Sequence, residues 1–341
     1  MFIAENVSLK PFNTFGIDAH ARFFVEVSSQ EMVSALVNRL QSDVDLKRLP
    51  RLVLGGGSNI LLTKDFTGLV IHNQIKGVTV MQETEDDVVI EVGAGENWHE
   101  LVLHAIGNGW GGIENMSLIP GTVGAAPMQN IGAYGVEIKD VFEELTAVNV
   151  SNGEAEYFSN EACEFGYRQS IFKSSHKGRY VICSVKLRLS KKPVVNVSYG
   201  AIKQTLEAQG IDTPTIKDVS QAVISIRQSK LPDPAEIGNA GSFFKNPTID
   251  KAQFEKLQVE FPDIVGYPNE DGVKVPAGWL IEHAGWKGVT KGRIGVHKNQ
   301  ALVLVNYGGG AGADIYQLSE DISQSVQEKY GILLHREVNI F

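Results

Sequence analysis

The run of residues 239–247 combines side chains that can act on a polar ligand. Its sequence, Asn-Ala-Gly-Ser-Phe-Phe-Lys-Asn-Pro, surrounds two aromatic residues with the hydroxyl of Ser242, the amine of Lys245 and the amide of Asn246. Gly241 lets the backbone approach a ligand closely, so the composition suits a pocket wall with a hydroxyl aimed at the ligand. A tight turn before a buried strand explains the same letters, because serine beside glycine is common in turns.

Two glycine-rich segments suit a phosphate-bearing cofactor. Gly55–Asn59 follows a short apolar run, and its consecutive glycines expose N–H groups with no Cβ atom to block a phosphate. No Gly-Lys-Ser/Thr follows, so the segment is not a P-loop, and a plain β-turn remains open. Ile119–Gly135 has recurring small residues and almost no charge, so it can lie flat against a cofactor. A buried glycine-rich turn is the alternative for the second segment.

Two further positions could carry chemistry. Tyr167 and Arg168 place a phenol beside a guanidinium, which suits bidentate capture of a carboxylate, although a surface salt bridge is the commoner role. Glu337 lies between apolar neighbours in the alternating run 333–341, where a solvated edge glutamate is the plainer explanation.

The pattern Gly-x-Gly-x-x-Gly at 107–112 follows a helix rather than a strand. The similar pattern at 308–313 is followed by no further βα unit, so neither predicts a dinucleotide fold.

Composition excludes several function classes. The 341 residues suggest two or three domains, and a net charge of -9 without a basic block argues against nucleic-acid binding. Two cysteines, Cys163 and Cys183, with no Cys/His cluster argue against a zinc site or any other metal centre. The start of the chain lacks a signal-peptide pattern and no apolar run approaches 18 residues, so we expect a cytoplasmic protein without membrane insertion.

The pattern of elements predicts an α+β fold. Met32, Val33, Leu36, Val37 and Leu40 keep helical spacing, and a second helix is expected over 98–106. Short strands are expected at 21–27, 51–54, 144–150, 154–159 and 180–189, and two more within 78–92, parted by the acidic turn Glu83–Asp87. After a connection near 191–200 come two short helices, 201–209 and 219–229, and the prolines of 231–234 end the second. The remainder reads as a separate α+β unit with helices near 251–259, 277–284 and 314–329, and strands near 302–306 and 337–341.

Several motifs together make the chain similar to a known family. In order, it resembles the UDP-N-acetylenolpyruvoylglucosamine reductase family of flavoenzymes at Asn13-Thr14-Phe15, Val53–Ile60, Ile119–Gly135, Phe165–Lys173, Leu231–Pro234, Asn239–Pro247 and Gln300–Asn306. One such piece could arise by chance, but the ordered set spans nearly the whole chain and is highly specific.

The resemblance implies a fold and a domain division. It implies an FAD-binding fold of the vanillyl-alcohol-oxidase/PCMH type, with a C-terminal α+β substrate-binding domain. The expected domains are 1–72 and 73–225, as two FAD-binding subdomains, and 226–341, whose last strand could return to the FAD-binding region. The second subdomain would include a mobile loop with Tyr199, in Val197-Ser198-Tyr199-Gly200, which marks the form of the family that has this tyrosine loop.

The resemblance also implies a mechanism. NADPH would reduce non-covalent FAD, and hydride would pass from flavin N5 to C3 of the enolpyruvyl ether of UDP-N-acetylglucosamine in peptidoglycan precursor synthesis. Arg168 and Glu337 would stabilise charge that spreads from C2 into the carboxylate, Glu337 as a donor only if it is protonated or bridged by water. Ser242 would deliver the proton to C2, which is plausible because a carbanion-like intermediate is a strong base.

Further contacts follow from the same resemblance. Substrate would be met by Tyr167, Tyr199, Lys230, Asn246, Lys287 and Gln300. FAD would be met by Gly55, Gly56, Gly57, Ser58, Asn59, Ile119, Pro120, Gly121, Thr122, Gly124, Asn130, Gly132, Tyr134 and Arg227. The expected partners are therefore the UDP-sugar and NADPH, with no nucleic acid and no obligate protein partner.

Two other functions remain open from the residues. A flavin oxidase of the same superfamily would usually carry a histidine for covalent flavin attachment, and His72 and His104 lie in suitable regions without a matching context. A non-catalytic flavin- or nucleotide-binding module would not need Arg168, Ser242 and Glu337 together.

Overall fold

The computed structural model describes all 341 residues. The strands are β1 Ala4–Ser8, β2 His20–Val27, β3 Arg51–Leu54, β4 Ile60–Leu61, β5 Phe66–Asn73, β6 Val78–Glu83, β7 Asp87–Gly93, β8 Gly132–Ala133, β9 Val136–Glu137, β10 Phe142–Asn149, β11 Ala155–Ser159, β12 Tyr180–Ser190, β13 Gly238–Ser242, β14 Thr248–Ile249, β15 Tyr267–Asn269, β16 Gly272–Lys274, β17 Thr290–Lys291, β18 Ile294–Val296, β19 Val303–Asn306 and β20 Asn339–Ile340. The helices are α1 Gln30–Ser42, α2 Val44–Lys47, α3 Trp98–Gly107, α4 Gly200–Ala208, α5 Ile216–Lys230, α6 Lys251–Glu260, α7 Ala277–His283 and α8 Gly312–Tyr330.

The chain divides into two compact units, each made of discontinuous segments. The first unit contains Met1–Val7, Ala21–Gly56 and Thr67–Ser229. The second contains Ser8–His20, Gly57–Phe66 and Lys230–Phe341. The expected boundaries after residues 72 and 225 stay predictions.

The first unit contains two sheets. One has the strand order β1-β2-β5-β3, with β3 parallel to β5, and the other is antiparallel with the order β11-β10-β12-β7-β6. Helix α1 begins where Ser29 accepts a hydrogen bond from the Met32 amide. Its buried positions Val33, Leu36 and Leu40 recur at helical spacing and pack in one core with residues of β2, β5, β10 and β12.

Helix α3 holds the second glycine-rich segment in place. Its indole Trp98 is buried and donates from Nε1 to the Met116 carbonyl, 3.0 Å away. The amide of Trp98 also donates to the Gly121 carbonyl at 3.0 Å, and the Gly124 amide donates to the Ala94 carbonyl at 2.8 Å. The segment is therefore fixed to the end of β7 and the start of α3.

The second unit is built on the antiparallel sheet β13-β19-β18-β17. Helix α8 packs on β18, β19 and α7 through buried residues such as Ile315, Leu318 and Ile322. A Cβ atom at Gly312, the first residue of α8, would overlap the Leu62 carbonyl oxygen, so this glycine serves close packing.

The chain ends beside a strand from its N-terminal third. Strand β20 pairs in parallel with β4, with Asn339 opposite Ile60. The strand in the structure is therefore shorter than the one expected at 337–341, because residues 335–337 pair with residues 243–245 instead of with β4. No helix in the structure is both long and apolar enough to cross a lipid bilayer.

Candidate active site

The backbones of two predicted cofactor segments meet in the first unit. A methyl group at Gly55 would overlap Thr122 Oγ1, and one at Gly56 would lie 3.0 Å from the Gly121 Cα atom. Gly121 has a φ of +116°, which other residues rarely adopt. Glycine is thus required for this approach, and it leaves main-chain N–H groups uncovered by side chains. That donor set suits a phosphate-bearing cofactor.

Some residues of the second segment lie at or near the surface, whereas Val123, Ala126 and Asn130 are buried. Ile119, Thr122 and Gly124 are half-buried, and Pro120 is exposed. A Cβ atom at Gly124 would lie 2.5 Å from the Ala94 side chain. That this stretch offers main-chain groups to a cofactor stays a prediction.

The end of the first glycine segment belongs to the second unit. The Gly57 carbonyl accepts a hydrogen bond from the Thr14 amide at 3.1 Å, and Ser58 is half-buried. Asn59 Nδ2 lies 3.4 Å from the Glu337 carbonyl oxygen, and the Asn59 carbonyl accepts from the Asn339 amide at 3.1 Å. The structure thus places a predicted cofactor residue beside the predicted catalytic glutamate.

Arg168 lies in a tight turn of the first unit. The amides of Gly166 and Gln169 each donate to the other residue's carbonyl, at 3.0 Å and 3.2 Å. Arg168 has a φ of +53°, and a terminal guanidinium nitrogen donates to the Gly132 carbonyl at 2.8 Å. The exposed Tyr167 ring lies 5.7 Å from the guanidinium carbon. Left-handed backbone is uncommon at a non-glycine residue and persists where the surrounding contacts fix it.

Tyr134, Tyr199 and Arg227 form a second cluster in the first unit. The rings of Tyr134 and Tyr199 meet edge to face, with centroids 5.1 Å apart. Burial lowers the pKa of the Arg227 guanidinium and raises the pKa of the Tyr134 phenol, and the two side chains are hydrogen-bonded to each other. Arg227 Nε is buried without a protein partner. An unpartnered guanidinium N–H at this place suits an anionic ligand.

Ser242 is exposed at the end of β13. The register of β13 against β19 shifts between Asn239 and Ser242, which indicates a bulge. Buried Asn239 stabilises this bulge, since its Oδ1 accepts from the Gly241 amide at 3.0 Å. The bulge leaves the Ser242 hydroxyl outside and turns Phe243 inward.

Phe243 and Phe244 are both core residues. They are 0 % and 1 % exposed, and the Phe243 ring packs edge to face on Phe15 at 6.3 Å. Both rings therefore belong to the core and line no pocket, whereas the expectation that the Ser242 hydroxyl faces a ligand stays a prediction. The pair anchors the segment, while its small and polar neighbours remain near the surface.

Glu337 lies on a segment paired with this one. The Glu337 amide donates to the Phe243 carbonyl at 2.9 Å, and the Lys245 amide donates to the His335 carbonyl at 2.8 Å. Glu337 itself is half-buried. The structure therefore brings together the segments that carry Ser242 and Glu337, which are far apart in sequence.

The predicted substrate contacts of the second unit fall at different places. Asn246 Oδ1 accepts from the Ala277 amide at 2.9 Å, and Gln300 Oε1 would lie 3.2 Å from a Cβ atom at Gly278, so both residues adjoin the first turn of α7. Lys287 is paired instead with Glu282 at 2.7 Å. Lys230 is exposed at the end of α5.

The cysteine and histidine side chains give little support to thiol, covalent-flavin or metal chemistry. Burial raises the pKa of both cysteine thiols, Cys163 and Cys183, to about 12, so neither is a reactive thiolate. His72 is buried, with Nδ1 3.0 Å from Glu26 Oε1, and His104 is exposed on α3. No group of three or more histidine, cysteine, aspartate or glutamate side chains could hold a metal ion.

Sequence reasoning missed Asn115. This fully buried residue donates from Nδ2 to the carbonyls of Tyr134 and Asn196, at 3.1 Å and 2.9 Å. It thereby ties the second glycine segment to the residues just before Tyr199. A lone asparagine gave no signal, because both partners are main-chain groups distant in sequence.

Comparison with protein families assigns both parts of the chain. Residues 21–159 match an FAD binding domain, and residues 233–341 match the C-terminal domain of UDP-N-acetylenolpyruvoylglucosamine reductase. The chain is 52% identical over 341 residues to a protein of that name from Amoebophilus asiaticus, covering 100% of this chain and 99% of the relative. The corresponding Pseudomonas aeruginosa protein is 48% identical over 340 residues, with 99% of both chains covered.

Solved structures agree at the level of the fold. The UDP-N-acetylenolpyruvylglucosamine reductase of Thermus caldophilus superimposes with a TM-score of 0.68 at 23% identity, over 100% of both chains. The 6-hydroxy-D-nicotine oxidase of Arthrobacter nicotinovorans superimposes with a TM-score of 0.54 at 12% identity, over 97% of this chain and 86% of that one. The expected α+β architecture, an FAD-binding fold of the vanillyl-alcohol-oxidase/PCMH type with a C-terminal α+β domain, is confirmed.

Proposed function

The chain belongs to the UDP-N-acetylenolpyruvoylglucosamine reductase family, and from that membership we propose which of its residues carry out the reaction. It is an FAD-dependent oxidoreductase that reduces the enolpyruvyl ether of UDP-N-acetylglucosamine to UDP-N-acetylmuramate, using NADPH, in peptidoglycan synthesis. The cytoplasmic location is part of the proposal, supported by two free, buried cysteines.

Bound FAD would supply the hydride chemistry that links NADPH to C3 of the enolpyruvyl group. The close approach of Gly55 and Gly56 to Gly121 and Thr122 offers main-chain donors for its phosphates. The unpartnered Arg227 Nε supports a further charged contact to the same group or to the substrate diphosphate. In this proposal the remaining predicted cofactor residues contact FAD mainly through their main chain.

Arg168 binds the substrate carboxylate. Negative charge develops at C2 as C3 gains hydride, and it spreads into that carboxylate, so a fixed cation lowers the barrier. The left-handed backbone and the hydrogen bond to Gly132 hold the guanidinium before substrate arrives. Glu337 assists as a donor in its protonated form or through a water molecule, since a bare carboxylate would repel the same charge.

Ser242 donates the proton to C2. Its hydroxyl is exposed at a bulge whose geometry is fixed by buried Asn239 and by Phe243. A serine is a weak acid, but the carbanion-like centre at C2 is basic enough to take its proton. Tyr167, Tyr199, Lys230, Asn246, Lys287 and Gln300 are proposed to bind the rest of the substrate.

The observation that supports this assignment is the hydrogen bond from Glu337 N–H to the Phe243 carbonyl, which pairs the segment that carries Glu337 with the segment that carries Ser242. The test is anaerobic stopped-flow spectroscopy of the purified flavoprotein. NADPH should bleach the flavin, and the enolpyruvyl sugar nucleotide should then restore its colour. Reoxidation at the same slow rate with and without that nucleotide would reject the function.

A further inference from the structure

Four side-chain hydrogen bonds tie the second glycine segment to the loop that carries Arg168. They are Ser170 Oγ to the Met128 carbonyl at 2.7 Å, Lys173 Nζ to Gln129 Oε1 at 2.9 Å, Asn130 Nδ2 to the Gly166 carbonyl at 3.1 Å, and the Arg168 guanidinium to the Gly132 carbonyl at 2.8 Å. All of these residues belong to the first unit. The cofactor side and the substrate side of the proposed site are thus joined.

Asn130 is the centre of this connection. It is 0 % exposed and has a φ of +44°. Its Nδ2 donates to Glu137 Oε2 at 2.9 Å as well as to the Gly166 carbonyl, and its Oδ1 accepts from the Lys139 amide at 3.2 Å. Both N–H donors and the oxygen of the amide therefore have protein partners. A buried side chain used in this way is built to hold protein segments together.

The Gly166 carbonyl is a critical point of attachment for Arg168. It already accepts the Gln169 amide, which closes the turn around Tyr167 and Arg168, and Asn130 supplies the second hydrogen bond. The left-handed backbone of Arg168 persists only where the surroundings fix it. The hydrogen bond from Asn130 to the Gly166 carbonyl therefore fixes one end of this short turn.

We propose that Asn130 is a positioning residue for Arg168. Its side-chain amide holds the turn that carries Arg168 at a fixed place relative to the second glycine segment, and thereby fixes the position of the guanidinium. This inference rests on the proposed role of Arg168. It assigns the Asn130 side chain to the protein rather than to FAD, which leaves only its main chain for the cofactor contact implied by the family resemblance.

The first test is Asn130→Gly, because glycine accepts the left-handed backbone while losing every side-chain hydrogen bond. Flavin reduction by NADPH and FAD affinity should stay within about twofold, whereas flavin reoxidation by the enolpyruvyl substrate should slow about 10- to 100-fold. The matched control is Glu164→Gly, an exposed left-handed position in the same loop, which should behave like wild type. A fall in FAD affinity that accounts for the lost activity would overturn the proposal.

A double-mutant cycle separates an effect through the position of Arg168 from an effect of Asn130→Gly elsewhere in the protein. In an Arg168→Ala background, Asn130→Gly should slow reoxidation by less than about twofold, because the group through which it acts is already gone. A full additional loss in that background would show that Asn130 acts elsewhere. If Asn130→Gly does not fold, the pair Asn130→Asp with Glu137→Gln replaces it, since it preserves the contact between those two residues and removes the donor to Gly166. Glu137→Gln alone is its control, because that change also removes the ion pair between Glu137 and Lys139.

Amide hydrogen exchange gives a readout independent of turnover. Exchange of residues 164–170 in FAD-free protein should be faster in Asn130→Gly than in Glu164→Gly, and equal exchange would contradict the inference. If wild-type protein fails to reduce the enolpyruvyl nucleotide, the proposed function fails, whereas this measurement still decides whether Asn130 holds the loop.

Discussion

The amide of Glu337 donates a hydrogen bond to the carbonyl of Phe243 across 2.9 Å. Together with the bond from Lys245 to His335, it pairs the C-terminal segment with the segment that follows Ser242. An isolated antiparallel bridge between Phe244 and Arg336 lies between these two bonds. If the C-terminal segment shifted by one residue against its partner, its side chains would turn to the opposite face. The register of this pairing therefore determines which face carries the Glu337 side chain.

Removing the Ser242 hydroxyl should separate the two halves of the reaction. Ser242→Ala should let NADPH reduce the flavin at the wild-type rate, whereas reoxidation by the enolpyruvyl substrate should slow about 100- to 10,000-fold, because general acid catalysis is lost. Stopped-flow absorbance of the flavin measures both steps. Ser225→Ala, at an exposed serine of α5, should leave both unchanged. Equal reoxidation rates for Ser242→Ala and wild type would remove Ser242 from the proton-donor role.

Glu337 should tolerate glutamine better than alanine. Glutamine keeps the size of the side chain and always offers an N–H donor, so Glu337→Gln should retain more turnover than Glu337→Ala, which should lose about 100-fold. Steady-state NADPH oxidation at saturating substrate measures the difference, with Glu260→Ala as an exposed control on α6. If the two Glu337 variants were equally slow, donation from this side chain would not be its contribution.

Local sequence patterns predicted the regular elements well. Apolar residues at helical spacing predict helix α1, and it forms after the Ser29 cap with four of them buried and Met32 partly buried. Helix α8 was expected over 314–329 and spans Gly312–Tyr330. Such elements were predictable because burial of one helix face repeats every three or four residues.

Contacts between distant parts of the chain were not predictable in the same way. Asn115 bonds to main-chain groups 19 and 81 residues away, and Asn59 to one 278 residues away. The left-handed turn at Arg168 also has no local signature, since arginine rarely adopts it without outside support. The site residues were therefore identified through family resemblance, whereas their supporting contacts required the structure.

A methyl group at Gly55 should weaken FAD binding through one identifiable clash. Gly55→Ala would place its Cβ atom against Thr122 Oγ1, and the Thr122 Cβ atom lies farther away at 3.4 Å. We expect FAD affinity to fall about 10-fold or more, since a shift between the two segments disturbs the main-chain donors. Fluorescence titration of FAD-free protein with FAD measures the change.

Removing the Thr122 hydroxyl should partly restore the FAD affinity that Gly55→Ala loses. In a Thr122→Ala background, Gly55→Ala should cost less affinity than it does in wild type, because the overlapping oxygen is gone. Gly107→Ala, where a Cβ atom meets nothing within 4 Å, serves as the control for adding a methyl group. An equal loss in both backgrounds would place the effect of Gly55→Ala somewhere other than Thr122.

The buried thiol of Cys183 should make stability fall at alkaline pH. Burial raises its pKa from 9.0 to about 12. Above pH 9 the unfolded chain therefore releases a proton that the folded protein retains. The stabilisation that is fully present below pH 9 is then lost progressively as the pH rises toward 12. The free energy of unfolding should consequently decline more steeply in wild type than in Cys183→Ala.

Urea unfolding from about pH 8 to about pH 10.5 measures that difference, because titrations common to both proteins cancel when the two curves are subtracted. Cys183→Ala should be less stable at the lower pH, since it leaves a cavity in the core that α1 shares with β12. The gap between the two proteins should narrow as the pH rises. Parallel curves across this range would mean that the Cys183 thiol ionises equally readily in the folded and unfolded states, contrary to its burial in this core.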